Sequence, residues 1–254
     1  MKKRQITTAA LAAVCCAAIV PATAAAATAT VHLRGTAYEF NSVHTMLSGA
    51  VVKVEEYPTL QAIVGADGKY DISVPSRAKK VTPYIAITGY YGVHLQTFTM
   101  AGKSLDNVNF QTPTDAVAKF MMMILNIAPV DPLSAAWRVK DCAIVSTFST
   151  KNVHGLDYAH FIAYGAHGVA GATAKASPKL SGVSAPVYFN ENVTPDRKQK
   201  SSSVDGGVIF TRVPAGTYTI TASHKTAKFA SFKATCKPGW VVNANPPWGL
   251  YQTK

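Results

Sequence analysis

The stretch Asp205-Gly206-Gly207-Val208-Ile209-Phe210-Thr211-Arg212-Val213-Pro214-Ala215-Gly216-Thr217-Tyr218 decides the fold. Asp-Gly supplies the φ > 0 turn of a hairpin. Val208 to Arg212 then reads as a strand, rich in β-branched and aromatic residues. Val213-Pro214 ends it, because proline donates no hydrogen bond to a ladder. Pro-Ala-Gly-Thr-Tyr turns the chain into the next strand, Thr217 to Ser223. Upstream lies Ala170-Gly171-Ala172-Thr173-Ala174, where Gly-Ala lets a strand enter beside a close neighbour. The same order occurs earlier in the chain: Ser48-Gly49-Ala50-Val51-Val52-Lys53-Val54, then Asp67-Gly68-Lys69-Tyr70-Asp71-Ile72, then Val74-Pro75. The chain therefore carries an internal repeat built of hairpins.

Further strand signals surround both copies. In the first half they are Val31 to Phe40, Ala50 to Glu55, Tyr70 to Val74, Val81 to Thr88 and Leu95 to Met100, bounded by Gly49, Gly89 and Gly102. In the second they are Cys142 to Phe148, Tyr158 to Tyr164, Gly168 to Ala174, Val187 to Asn190, Phe229 to Ala234 and Trp240 to Val242. Turn signals about ten residues apart indicate a sandwich or barrel. Strands of this kind alternate inward and outward residues, as Tyr70, Ile72 and Val74 do against Asp71 and Ser73. Between the halves, Thr114-Asp115 caps an expected helix over Ala116 to Ile127. It is expected to bury Val117, Phe120, Met121, Ile124 and Leu125, and Pro129 and Pro132 stop it. Met121-Met122-Met123 is read as adaptable core filling. Residues 191–203, with Arg197-Lys198-Gln199-Lys200 and three serines, read as a loop.

The repeated pattern resembles the carboxypeptidase regulatory-like domain, a small prealbumin-like sandwich also grouped as a carbohydrate-binding-like fold. There Gly-Ala-x-Val, Asp-Gly-x-Tyr and Pro-x-Gly-x-Tyr recur in this order. The second half matches through Asp205-Gly206 and Pro214 to Tyr218. The first departs after Pro75, where Ser76-Arg77-Ala78 replaces Gly-x-Tyr. The resemblance implies an all-β protein of two prealbumin-like antiparallel β-sandwich domains, at 30–112 and 138–254. A helical linker at 113–137 joins them, and the second carries a C-terminal aromatic tail.

At the amino end, Lys2, Lys3 and Arg4 precede an uncharged run of 15 residues, Ile6 to Val20, and small residues follow Pro21. That order is expected to be a cleavable secretory signal within residues 1–29. The run is shorter than the roughly 20 residues that cross a bilayer. Cys15 and Cys16 lie inside it, and Val14 before Cys15 does not fit the small residue a lipidation site wants. Two cysteines remain, Cys142 and Cys236, and an even pair in an exported chain is expected to be oxidised to a disulfide. The expected location is secreted or at the cell envelope. Without Lys2, Lys3 and Arg4, 22 basic against 13 acidic residues leave +9. That charge suits anionic envelope polymers or lipid heads; with no nucleic-acid motif beside it, nucleic acid is not an expected partner.

Few constellations point to chemistry. Gly-x-Ser-x-Gly and Gly-rich phosphate loops do not occur. Glu55 and Glu56 are adjacent, so on a strand they face opposite ways and form no acid/base couple. His154, Asp157, His160 and His167 are candidate metal ligands only if the fold gathers them. In the tail, Trp240, Asn243, Asn245, Trp248 and Tyr251 offer rings to stack on a pyranose and amides to bond its hydroxyls. The alternative for this tail is a strap that closes the sandwich. The expectation is a non-catalytic exported accessory module without cofactor, binding glycans or envelope polymers. A structural or protein-interaction module and a metal-dependent enzyme at His154, His160 and His167 are the alternatives.

Overall fold

The computed structural model describes residues 29–130 and 138–254. Residues 1–28 of the segment read as an export signal, and residues 131–137 of the expected linker, lie outside the described residues. In the first half the strands are β1 (Thr30–Glu39), β2 (Ser42–Met46), β3 (Val51–Val54), β4 (Tyr57–Ile63), β5 (Lys69–Pro75), β6 (Lys80–Val81), β7 (Pro83–Ala86), β8 (Phe98–Thr99) and β9 (Phe110–Thr112). Helix α1 (Asp115–Ile124) follows. The second half comprises β10 (Cys142–Ser149), α2 (Tyr158–Tyr164), β11 (Thr173–Ser177), β12 (Val187–Phe189), β13 (Pro195–Asp196), β14 (Gly207–Val213), β15 (Gly216–Ser223), β16 (Phe232–Cys236), β17 (Val241–Ala244) and β18 (Leu250–Tyr251). The protein is all-β in character, with strands layered, among the described residues, around two large cores, and two smaller clusters that include Leu125, Ala118 and Met122.

Each half is centred on its first strand. β1 pairs with β2 and β5 antiparallel and with β9 parallel. β10 pairs with β14 antiparallel and with β17 and β18 parallel. The opposing layers are β4-β3-β7 and β11-β15-β16. On β5 the alternation is as read: Tyr70, Ile72 and Val74 are buried, while Lys69, Asp71 and Ser73 are exposed. The two cores are built around Leu33, Val52, Ile85 and Phe110 in one half, and Ile144, Phe148, Phe210 and Ile220 in the other.

The internal repeat is a repeat of hydrogen bonds. Ala37 N donates to Gly68 O, and Phe148 N to Gly206 O, both at 2.8 Å. Leu47 N donates to Ala37 O at 3.0 Å, and Val169 N to Phe148 O at 2.8 Å. Gly49 N to Val64 O and Val64 N to Ala50 O, each 2.9 Å, are matched by Gly171 N to Ser202 O (2.8 Å) and Ser202 N to Ala172 O (2.9 Å). Gly68 and Gly206 both take the expected left-handed conformation, at φ 78° and 80°. In each turn the preceding aspartate caps the amide two residues on, Asp67 to Lys69 and Asp205 to Gly207. The disulfide Cys142–Cys236 joins β10 to β16, and so ties the two layers of the second half together.

Two readings are corrected. Tyr158 to Tyr164 is helix α2, not a strand: Asp157 caps it by accepting from the His160 amide, and Gly165 stops it at φ 74°. A capping carboxylate outweighs the β-propensity of so short a segment. The expected α1 forms, with Thr114 Oγ1 accepting from Val117 N. Leu125 is buried as expected and Val117 and Met121 are half-buried, but the other buried positions are Ala118 and Met122, while Phe120 and Ile124 face outward. The helix is apolar on more than one side, so periodicity alone did not choose its inner face.

Candidate functional site

A connected set of interacting side chains lies where the halves meet. Residues 93–99 run between them and hydrogen-bond to both. On one layer His94 bridges to Tyr84 beside β7; its amide donates to Val241 O (2.8 Å) and its carbonyl accepts from Asn243 N (2.7 Å). That chain of bonds joins β4-β3-β7 to β17 and the sheet beyond it. Further along the same segment Thr97 N donates to Lys233 O at 2.8 Å, which reaches β16 in the other layer of the second half. One edge segment of the first half therefore bonds to both layers of the second.

Side chains fill the seam around it. The His94 ring lies between Trp240, stacked at 3.6 Å and 10°, and Tyr84 at 5.1 Å. Its Nε2 is 3.1 Å from Glu55 Oε1, and Lys237 Nζ donates to Glu55 Oε2 at 3.0 Å while lying 4.5 Å from the Trp240 ring. Burial pushes the His94 pKa down to about 4 against the opposing pull of Glu55; Lys237 and Arg138 push it further down. Among the described residues its buried Nδ1 has no hydrogen-bond partner. Beside it runs a chain of hydroxyls: Glu56 accepts from Thr82, Thr82 meets Thr97 at 2.9 Å, and Thr97 meets Thr235 of the second half at 2.9 Å. Glu55 and Glu56, read as facing apart, serve these two separate networks. Glu55, Trp240 and Tyr84 hold the His94 ring in place.

The aromatic tail belongs to the same region. β17 and β18 are its ordered core, paired parallel to β10. Asn243 and Asn245 are buried; Asn243 Nδ2 donates to Gln111 O and Asn245 Nδ2 to Pro246 O, each at 2.9 Å. Trp248 Nε1 donates to Asn107 O of the first half at 2.9 Å, and its ring meets the edge of Phe98. Tyr251 stacks on His154 at 3.6 Å and 2°. Trp248 also borders an open groove of about 290 Å³ whose other walls include Gln96, Phe98, Thr219, Ser231 and Lys233.

The histidines read as candidate ligands have separate partners. His154 Nδ1 contacts Pro247 O, His160 pairs with Asp157 at 2.8 Å, and His167 Nδ1 contacts Gly165 O. Among the described residues, no group of three or more His, Cys, Asp or Glu side chains is placed to hold a metal ion. His167 does line a second cleft between the halves, also about 290 Å³, walled by Phe40, Phe161 and Phe189 and containing Asp205. Burial pushes the Asp205 carboxyl up; the Gly207 amide it accepts from and the nearby His167 counter this. His94 and Thr97 carried no sequence signal, because their partners Trp240, Lys237 and Thr235 lie more than a hundred residues away.

A scan against protein-family models finds no match, and neither does a search of curated protein sequences. Among solved structures the chain aligns with the TIE protein of Bacillus anthracis at 11% identity and TM-score 0.25, over 88% of this chain and 34% of that one. It aligns with a streptococcal ancillary pilin at 10% identity and TM-score 0.27, over 88% and 69%. It also aligns with the minor pilin GBS52 of Streptococcus agalactiae at 6% identity and TM-score 0.27, over 88% and 97%. The chain spans about a third of the first of these. Scores this low carry no argument about role, and the architecture rests on the pairings above.

Proposed function

We propose that the chain is an exported structural accessory module in which two sandwiches act as one stiff body outside the cytoplasm. The observation that carries this is the seam: one edge segment of the first half bonds to both layers of the second through His94 and Thr97, and a hydroxyl chain from Glu56 to Thr235 runs beside it. Polar groups paired across the seam resist its separation, because opening it strands each partner. The disulfide supports an oxidising compartment, in keeping with the signal read in residues 1–29. The duplicated hydrogen-bond pattern supports a carboxypeptidase regulatory-like assignment for each half. Pulling single molecules from both ends tests the proposal. With the disulfide reduced, one unfolding event is expected for both halves, and Thr97→Val with Thr235→Val is expected to split it into two. Two events in the unaltered protein would refute it.

A glycan-binding role is the second reading, favoured by one observation. The groove beside Trp248 combines aromatic walls with the amide of Gln96, the hydroxyls of Thr219 and Ser231 and the ammonium of Lys233. Aromatic faces with convergent polar groups are the usual chemistry of sugar recognition. Binding of cell-wall polysaccharides that is lost in Trp248→Ala supports this reading; absence of binding to any of a glycan panel removes it.

A further inference from the structure

A surface helix of a globular protein buries one stripe and shows a polar one. Helix α1 does not. Its inner stripe is Ala118, Met122 and Leu125; its outer stripe holds Phe120, Met123 and Ile124, exposed by 58%, 66% and 38%. Ala116, also exposed, sits one turn before Phe120 on the same side. Three large apolar side chains standing together in water mark a contact surface rather than chance exposure.

Cations gather at the carboxyl end of the helix. The last turn of α1 carries no basic residue of its own. Instead Arg197 Nη2 donates to Leu125 O at 2.7 Å, and Arg212 Nη2 donates to Asn126 O at 2.6 Å. A β-bulge opposite Cys142 and Ile144, with Arg212 itself at φ 52°, accompanies this placement. The Arg197 bond ties the loop bearing exposed Lys198 and Lys200 to the helix end. The acid nearest in that loop, Asp196, is engaged by the Lys198 amide. An apolar helix face with arginines bonded at its carboxyl end and lysines beside one of them has the composition that inserts into a headgroup region while its cations meet anionic lipid.

We propose that the outer face of α1, with the Arg197 to Lys200 loop and Arg212, is a docking surface for an anionic lipid membrane. Phe120, Met123 and Ile124 enter the acyl boundary, and the basic side chains contact phosphate. The net charge of the chain favours the same partner at longer range. Flotation with phosphatidylglycerol vesicles and with phosphatidylcholine vesicles tests it. Binding to the anionic vesicles is expected, weakened by added salt, with little to the zwitterionic ones. Phe120→Ser with Met123→Ser is expected to lower it roughly tenfold or more, and so is Lys198→Glu with Lys200→Glu, with unfolding midpoints unchanged. No binding to anionic vesicles would overturn the proposal, as would binding indifferent to both double variants. If sedimentation instead shows a dimer that Phe120→Ser with Met123→Ser dissolves, and vesicles are ignored, the face belongs to a second copy and the proposal fails.

Discussion

In the first half the Ala50 amide donates straight to the Leu47 carbonyl at 3.1 Å. In the second, Ser202 Oγ stands between the corresponding groups, accepting from Ala172 N at 2.9 Å and donating to Val169 O at 2.6 Å. Val64 occupies the place of Ser202 and is wholly buried. The same backbone scheme is thus closed directly in one half and through a side chain in the other. The second half also carries the disulfide, and its counterpart strand β1 has the buried Val31 near the matching end. What the repeat conserves is the turn and the ladder; how each copy is fastened is free to differ.

That contrast breaks first at the disulfide. Replacing Cys142 and Cys236 by alanine is expected to cost about 4–5 kcal/mol in the chain-entropy account for so long a loop. Urea unfolding with and without reductant measures it; a loss under roughly 1 kcal/mol would mean the second half does not depend on its staple.

The two Asp-Gly turns sharpen it next. A Cβ on Gly206 would lie 2.7 Å from Phe148 O and 2.9 Å from Gly168 Cα, which are backbone. On Gly68 it would lie 2.5 Å from Met46 Sδ, the movable end of a flexible side chain. Both residues have positive φ. Gly206→Ala is therefore expected to destabilise by roughly 3 kcal/mol and Gly68→Ala by about half as much. Equal losses in thermal unfolding would show that the surroundings of the turn do not matter.

Acid tests the seam rather than either copy. His94 has a pKa of about 4 in the folded protein against an ordinary 6.5. As pH falls below 6.5 the unfolded chain binds the proton first, so stability is lost between about 6.5 and about 4 and is intact above that window. The ceiling is roughly 3 kcal/mol. His94→Gln, which does not titrate, should flatten this part of the stability–pH curve; an unchanged slope would assign the loss to other groups.

The smallest expected effect is at Ser202. Ser202→Ala leaves the Ala172 amide and Val169 carbonyl without their bridge, for about 1–2 kcal/mol in chemical denaturation. A neutral result would imply that the second half closes directly, as the first does.

How much of this was legible follows from how local each signal is. Asp205-Gly206, Thr114 and the alternation over Tyr70 to Val74 act within a few residues, and each appears where the chain puts it. The cysteine pair was readable because compartment and parity leave little choice. Helix α2 was missed although Asp157 and Gly165 bracket it, because Tyr158, Phe161, Ile162 and Tyr164 carry β-propensity. The inner face of α1 was misread because Met121-Met122-Met123 offers apolar side chains in every direction. The seam was invisible for a different reason. His94 meets Trp240, and Thr97 meets Thr235, only after both sandwiches exist.

Amide hydrogen exchange resolved at His94, Thr97 and Asn243 tests the union of the halves most directly. These three amides cross from one half to the other. They should exchange as slowly as amides in the centres of β1 and β10. Rapid exchange at all three, with both centres still protected, would contradict a single body.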